Sequence, residues 1–277
     1  MRLLLRHKSI YAILSLLSLA VLTACGSAQE LASGWSGEPV KIDGNHQDWQ
    51  GSLTANASEG YSTGFKNDGK FLYLCFVTSD RGKIMNIMRS GLSVVFDSPS
   101  NPEKNYTIRF PLINPADIRE TVSVLGPDAM QKEGVGFLFQ EMLDKQIQFI
   151  ILQEDFLNTV SIKNKENIEV KMGTTNELLI FEGKVPLMST DSSFPIGANA
   201  GDKIAITFET DPARVAFREG QSAGQNAPRA QQGGGGGRGG RGGQQAQQPS
   251  GDAGGGPVNI TQKFSAKFQL SLSKEGK

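Results

Sequence analysis

Cysteine is nearly absent: the 277 residues hold two, Cys25 and Cys75. That number excludes the disulfide framework by which small secreted folds are stapled. Histidine is as scarce, with only His7 and His46, so few bases stand ready for a nucleophile that needs one. An excess of charge of one sign is also missing. Lys+Arg and Asp+Glu number 28 each, and no global field is aimed at nucleic acid or at an anionic membrane. Past the N-terminal region no apolar run approaches the ~20 residues that cross a bilayer as a helix.

Glycine is abundant but confined. Of 33 glycines, 15 fall in residues 220–256, and the rest of the chain is close to the ordinary background of roughly 7%. This window also holds Gln, Ala and two Arg-Gly-Gly steps, Arg238-Gly239-Gly240 and Arg241-Gly242-Gly243, without an aromatic or β-branched residue. Such a composition buries too little surface to offset the entropy of ordering, so disorder is expected there. Two arginines are a thin basis for RNA binding, and nucleic acid is not an expected partner.

The first residues read as an address. Arg2, Arg6 and Lys8 precede a mainly apolar stretch at 10–22, too short to span a membrane and built like an export signal. Next comes Leu22-Thr23-Ala24-Cys25-Gly26, which resembles the lipobox of bacterial lipoproteins. The resemblance implies cleavage before Cys25 and lipidation of that residue; the alternative is an uncleaved anchor with a chance cysteine. Gly26, not Asp, follows Cys25, which by the same resemblance favours the outer membrane of the cell envelope. Loss of Arg2, Arg6 and Lys8 from the 28 cationic residues would leave 25 against 28 acidic ones, a faintly acidic chain. Cys75 would then stand alone, within the strand formers of 71–77, as a small buried hydrophobe rather than a nucleophile.

The dominant period of the remainder is two. Strands are predicted at 40–42, 71–78, 92–96, 106–110, 121–125, 146–152, 168–172, 178–185 and 204–209, and the best helical pattern is a short one at 135–143. After the Gly-rich window, Phe264, Ala266, Phe268, Leu270 and Leu272 alternate with Ser265, Lys267, Gln269 and Ser271, the mark of a half-buried strand. The expected organisation is a signal peptide (1–24), a lipidated tether (25–37), the body of a sandwich (38–219), a disordered insertion (220–256) and a last strand returning to the sheet (257–277). The expected fold class is mostly β: a two-sheet antiparallel β-sandwich, jelly-roll-like, with little helix.

Five segments carry a family resemblance. Val40-Lys41-Ile42-Asp43-Gly44-Asn45-His46-Gln47-Asp48-Trp49 resembles the I-D-G-x(3)-D-W opening of carbohydrate-binding module family 9 and its DOMON-like relatives. Asn67-Asp68-Gly69-Lys70-Phe71-Leu72-Tyr73-Leu74 is similar to their N-D-G-x-x-L-Y hairpin, and 91–97 to the strand that ends in Asp. Phe181-Glu182-Gly183-Lys184-Val185-Pro186-Leu187 and Gly201-Asp202-Lys203-Ile204 resemble the strands that follow. The resemblance implies the sandwich, structural roles for Asp43, Gly44, Asp48, Trp49, Asp68, Gly69, Glu182 and Pro186, and binding of sugars or haem in some members.

Read without the resemblance, Asp43-Gly44 is a turn, and Trp49 covers one end of the core. Sugar rings stack on exposed aromatics, for which Trp35, Tyr61 and Tyr106 are the off-core candidates. The paired tryptophans of the sugar-binding members are not matched, because Trp35 lies in the tether and Trp49 in the structural motif. Asp48, Asp80 and Asp97 have the oxygen chemistry for a calcium ion, without the dense acidic spacing of a dedicated loop. For haem, His46 sits in a turn, and apolar packing accounts for Met85 and Met88. No catalytic pairing stands out among the carboxylates. The reading is a non-catalytic envelope lipoprotein, either a binding module with carbohydrate as its leading ligand or a scaffold docking a protein partner.

Overall fold

The run Phe71–Thr78 has almost no polar residue on either face, which is unusual for a strand with one face in water. The computed structural model, which describes residues 28–97, 105–153, 156–175, 177–188, 192–210 and 263–276, shows the reason. This strand lies inside a sheet covered on both sides. Leu72, Leu74 and Phe76 point into the main core, while Tyr73, Cys75 and Val77 join Trp49 and Ile180 in a second cluster on the opposite face.

Thirteen strands and two α-helices are present among the described residues. In chain order the strands are β1 (Gln29–Ala32), β2 (Gly34–Trp35), β3 (Thr54–Asn56), β4 (Tyr61–Asn67), β5 (Phe71–Thr78), β6 (Leu92–Asp97) and β7 (Tyr106–Phe110). They continue with β8 (Gln148–Gln153), β9 (Phe156–Ser161), β10 (Glu169–Thr175), β11 (Leu178–Pro186), β12 (Lys203–Glu209) and β13 (Ser265–Ser271). Helix α1 (Arg81–Ser90) joins β5 to β6, and α2 (Pro115–Asp144) joins β7 to β8. The larger sheet has the order β1-β13-β12-β6-β7-β8-β9, and the smaller one β10-β11-β5-β4-β2 with β3 added on β4. Most pairs are antiparallel, but β1 runs parallel to β13 and β2 parallel to β4.

The two inner faces meet over a core rich in phenylalanine. Phe65, Phe76, Phe208 and Phe268 pack with ring centroids 5.4 to 6.2 Å apart, separations at which aromatic pairs add to the burial of their area. Chain crossings tie the sheets together at one end. Ser33, between β1 and β2, donates to Asn67 Oδ1 at 2.5 Å, and fully buried Asn67 donates from Nδ2 to the Ser273 carbonyl at 3.0 Å. That is the turn end of the sandwich; the helices lie across the other.

Several elements differ from the sequence reading. Residues 40–42 form no strand: Val40 and Ile42 lie flat on the outer face of the smaller sheet. The Asp43 amide donates to a side chain rather than to a neighbouring strand. Residues 121–125 belong to helix α2, because Asn114 accepts from the Ala116 amide at 2.9 Å and Pro115 takes the first turn. This start signal outranks a short β-branched run. The helix is 30 residues long, not the short 135–143. It is not straight either, since its first and last turns line one cleft and Leu112 N donates to Gln146 Oε1. The tether contributes β1 and β2, with Leu31 packed against the core. Cys25, the export signal and the Gly-rich window fall outside the described residues.

Candidate functional site

Three of the five segments that carry the resemblance, 40–49, 67–74 and 181–187, form two physical units. In the first, Gly44 takes φ +81°, a left-handed turn that glycine enters without strain. It aims the amides of Asp43 and Gly44 at Glu182, whose Oε2 accepts from them at 2.9 and 2.6 Å. The other oxygen, Oε1, accepts from the Trp49 indole Nε1 at 2.6 Å. Glu182 is fully buried, and its burial raises its pKa, while the Trp49, Gly44 and Asp43 donors pull it back. Three donors to one carboxylate lock the Asp43–Trp49 segment onto the sheet. Gly173 completes the unit. A Cβ there would come within 2.4 Å of the Gly44 carbonyl oxygen, so the turn sits directly on strand backbone.

In the second unit, Asp68 Oδ1 accepts from the amides of Lys70 and Phe71 at 2.9 and 2.8 Å, and Oδ2 from the Tyr73 hydroxyl at 2.7 Å. Gly69 has φ +84°, and a Cβ on it would sit 3.2 Å from the Trp35 ring, so the tryptophan lies against the turn. Pro186 ends β11 opposite Phe71, and the next residue, Leu187, donates its amide to the Lys70 carbonyl at 2.8 Å. Asp48 stands on the 3-10 turn His46–Trp49 with its side chain exposed.

Neither unit leaves a reactive group free. Cys75 is buried, and burial pushes its thiol well above the usual range. Among the described residues no three of His, Cys, Asp and Glu converge as a metal group. Of the calcium candidates, Asp80 caps α1, accepting from Lys83 N at 3.0 Å and pairing with Lys83 Nζ at 3.2 Å. Asp97 closes β6, and Asp48 is on the outer turn, so the structure does not bring the three together. His46 shares that outer turn, whereas Met88 and Met85 pack into or against the main core.

The aromatic candidates divide. Tyr61 and Tyr106 are core residues, 7% and 2% exposed, and this corrects their placement off the core. Tyr61 stacks on Phe76 at 5.5 Å, and Tyr106 lies between Phe96 and Phe194. Both alternate inward from strands β4 and β7, and neither offers a ring face to water. Trp35 is half-buried and remains on the surface. The largest exposed apolar side chains are elsewhere: Ile147 and Phe156 at 71% each, Leu157 at 60% and Met188 at 55%. Phe156 and Leu157 belong to β9, the free edge of the larger sheet. The sequence reading missed this strand because Asn158-Thr159 dilutes its apolar pattern. It also missed Gly173, whose signal was a glycine inside a strand. A cleft of about 210 Å³ beside α2, lined by Ile113, Asp117, Glu120, Thr121, Met142, Lys145 and Gln146, is shallow and polar. It is smaller than the ~300 Å³ at which ligand pockets begin.

No protein-family model matches the chain, and no curated protein does. Solved structures with a similar arrangement include a carbohydrate binding module family 9 from Caldicellulosiruptor kristjanssonii in complex with cellotriose. It is 12% identical, with TM-score 0.35, over 68% of this chain and 78% of that one. The same module in complex with glucose gives TM-score 0.31 at 12% identity, over 68% and 80%. A putative carbohydrate-binding protein from Bacteroides uniformis gives 0.36 at 9% identity, over 66% and 84%.

Proposed function

We propose that this chain is a non-catalytic binding module of the cell envelope, held at a membrane, and by its lipobox the outer one, through lipid on Cys25, with carbohydrate as its leading ligand class. The observation that carries the non-catalytic part is the fate of Glu182. Among the described residues Glu182 is the one fully buried carboxylate, and structural donors engage both of its oxygens, so it serves the fold and is not presented to a substrate. The ordered set of motifs shared with sugar-binding sandwiches supports the ligand class, and Trp35, beside the Asn67–Phe71 turn, is the aromatic on which a sugar would stack. Affinity electrophoresis of residues 28–277 through gels of soluble polysaccharides tests this. Retardation by at least one polysaccharide, weakened in Trp35→Ala, is expected; free migration in every gel excludes the carbohydrate reading.

One observation favours a second reading, a scaffold that docks an envelope protein. Among the described residues strand β9 pairs only with β8 and exposes Phe156 and Leu157, and a free edge with apolar side chains is suited to accepting another strand. Free migration in the gels together with loss of partner capture in Leu157→Lys would select it.

A further inference from the structure

The anchor and the fold constrain each other. Strand β1 begins at Gln29, only four residues beyond Cys25, and four residues reach at most about 14 Å even when fully extended. Strand β1 is also the first edge of the larger sheet, with β9 the last. Six strand spacings of ~4.8 Å separate those edges, about 29 Å. The leash is therefore about half the width of the sheet it holds. β1 is no loose tether: it is paired with β13 from Gln29↔Phe268 to Ala32↔Ser271, and the following Ser33 amide donates to the Ser271 carbonyl at 3.0 Å.

From this we infer that the β1 edge of the larger sheet lies against the lipid surface and that the β9 edge is the one presented away from it. The inference rests on the lipid anchor proposed above. A sheet fixed to the bilayer at one edge by so short a leash cannot turn its far edge inward, because the body itself stands between. The partner of the β1 edge is then the headgroup layer. Phe156 and Leu157, with the free edge that bears them, then face away from the headgroup layer.

The register supplies internal rulers for a test. Lys267, Thr207, Val95, Thr107, Leu152 and Leu157 are successive partners across the larger sheet. Lys267 and Leu157 thus share one face and one row, five spacings or about 24 Å apart. Ser265 and Thr159 end the neighbouring row through Glu209, Ser93, Arg109 and Ile150. All four are exposed, so cysteine at each should leave the fold intact, and buried Cys75 will not compete for label.

The full-length lipoprotein carrying Lys267→Cys, Leu157→Cys, Ser265→Cys or Thr159→Cys would be labelled with a fluorophore. It would then be reconstituted into phosphatidylethanolamine–phosphatidylglycerol vesicles that contain a headgroup nitroxide lipid, with acylation of Cys25 read separately by intact mass. Quenching several-fold stronger at positions 267 and 265 than at 157 and 159 is expected. Equal or reversed quenching on acylated protein overturns the orientation and leaves the anchor standing. A mass without acyl chains overturns the anchor, and the orientation with it.

Discussion

At the scale of single residues, Glu182 decides most. Its three donors come from a turn and an indole that have no other buried acceptor, so Glu182→Ala leaves Trp49 Nε1 and two backbone amides unpaired. The expected loss is about 3–5 kcal/mol, as for breaking other buried charged networks. Glu182→Gln should cost less, about 1–3 kcal/mol, because one acceptor oxygen remains. The sign of the pH dependence follows from burial, which raises the folded-state pKa above that of the unfolded chain. The folded state then holds its proton over a range in which the unfolded state has lost it. Stability from this group is greatest at acid pH and falls as pH rises from the ordinary carboxylate range through the raised value. Urea denaturation across that range should show the decline in the parent and a flatter profile in Glu182→Gln. A parent whose stability rises there would contradict the assignment.

The turn residues of both motifs were legible in the sequence, because Asp43-Gly44 and Asp68-Gly69 declare their backbone chemistry locally. What Glu182 contacts was not legible, since its three donors lie 133 to 139 positions away. Nor was the inward direction of Tyr61 and Tyr106. Tyrosine carries a polar tip, and only the sheet register shows which way the strand turns it.

At the scale of elements, the last strand is the most exposed to test. β13 fills the space between β1 and β12, and Phe264, Phe268, Leu270 and Leu272 are buried along it. At about 1.5–3 kcal/mol for each large apolar side chain, its removal exceeds half of a typical net stability of ~5–15 kcal/mol. It also leaves β1 without a partner. Truncation at Gly220 should give an unfolded or aggregating chain by circular dichroism and size exclusion; a soluble monomer with an unchanged Tm would contradict this. Replacing residues 220–256 by about eight Gly/Ser shortens the connection 211–263 from 53 to about 24 residues and should do the reverse, favouring folding by roughly 0.7 kcal/mol of closure entropy. The described residues on either side are already together, with Thr210 N donating to the Phe264 carbonyl at 3.0 Å. The strand-forming patterns located β5, β6, β7, β8, β10, β11, β12 and β13. They failed where a helix start overrode β-branched residues, at α2. They failed again at β4, where Gly64 interrupts the pattern to admit the Trp49 ring, 2.9 Å from a Cβ built there. Helix α1 was missed as well, although Asp80 and Gly91 bracket it as N-cap and positive-φ C-terminal glycine.

At the scale of the molecule, two sheets and a covered outer face make one body, and the anchor proposed above would commit one of its edges to the membrane and leave another free. No helix among the described residues is long and apolar enough to cross a membrane, and the anchor proposed above is the lipid on Cys25. Cys25→Ala should move the protein from the membrane to the soluble fraction in cell fractionation. Persistent membrane partitioning would indicate an uncleaved N-terminal anchor instead.

Binding itself has a built-in reporter. The chain has two tryptophans: Trp49, fully buried and bonded to Glu182, and Trp35, half-buried beside the Asn67–Phe71 turn. Titration of residues 28–277 with fragments of any polysaccharide that retards the protein, followed by tryptophan emission, tests the central claim most directly. The account predicts a saturable blue shift that disappears in Trp35→Phe while the Trp49 emission stays constant. An emission unchanged by every retained fragment, or a shift that survives Trp35→Phe, would contradict it.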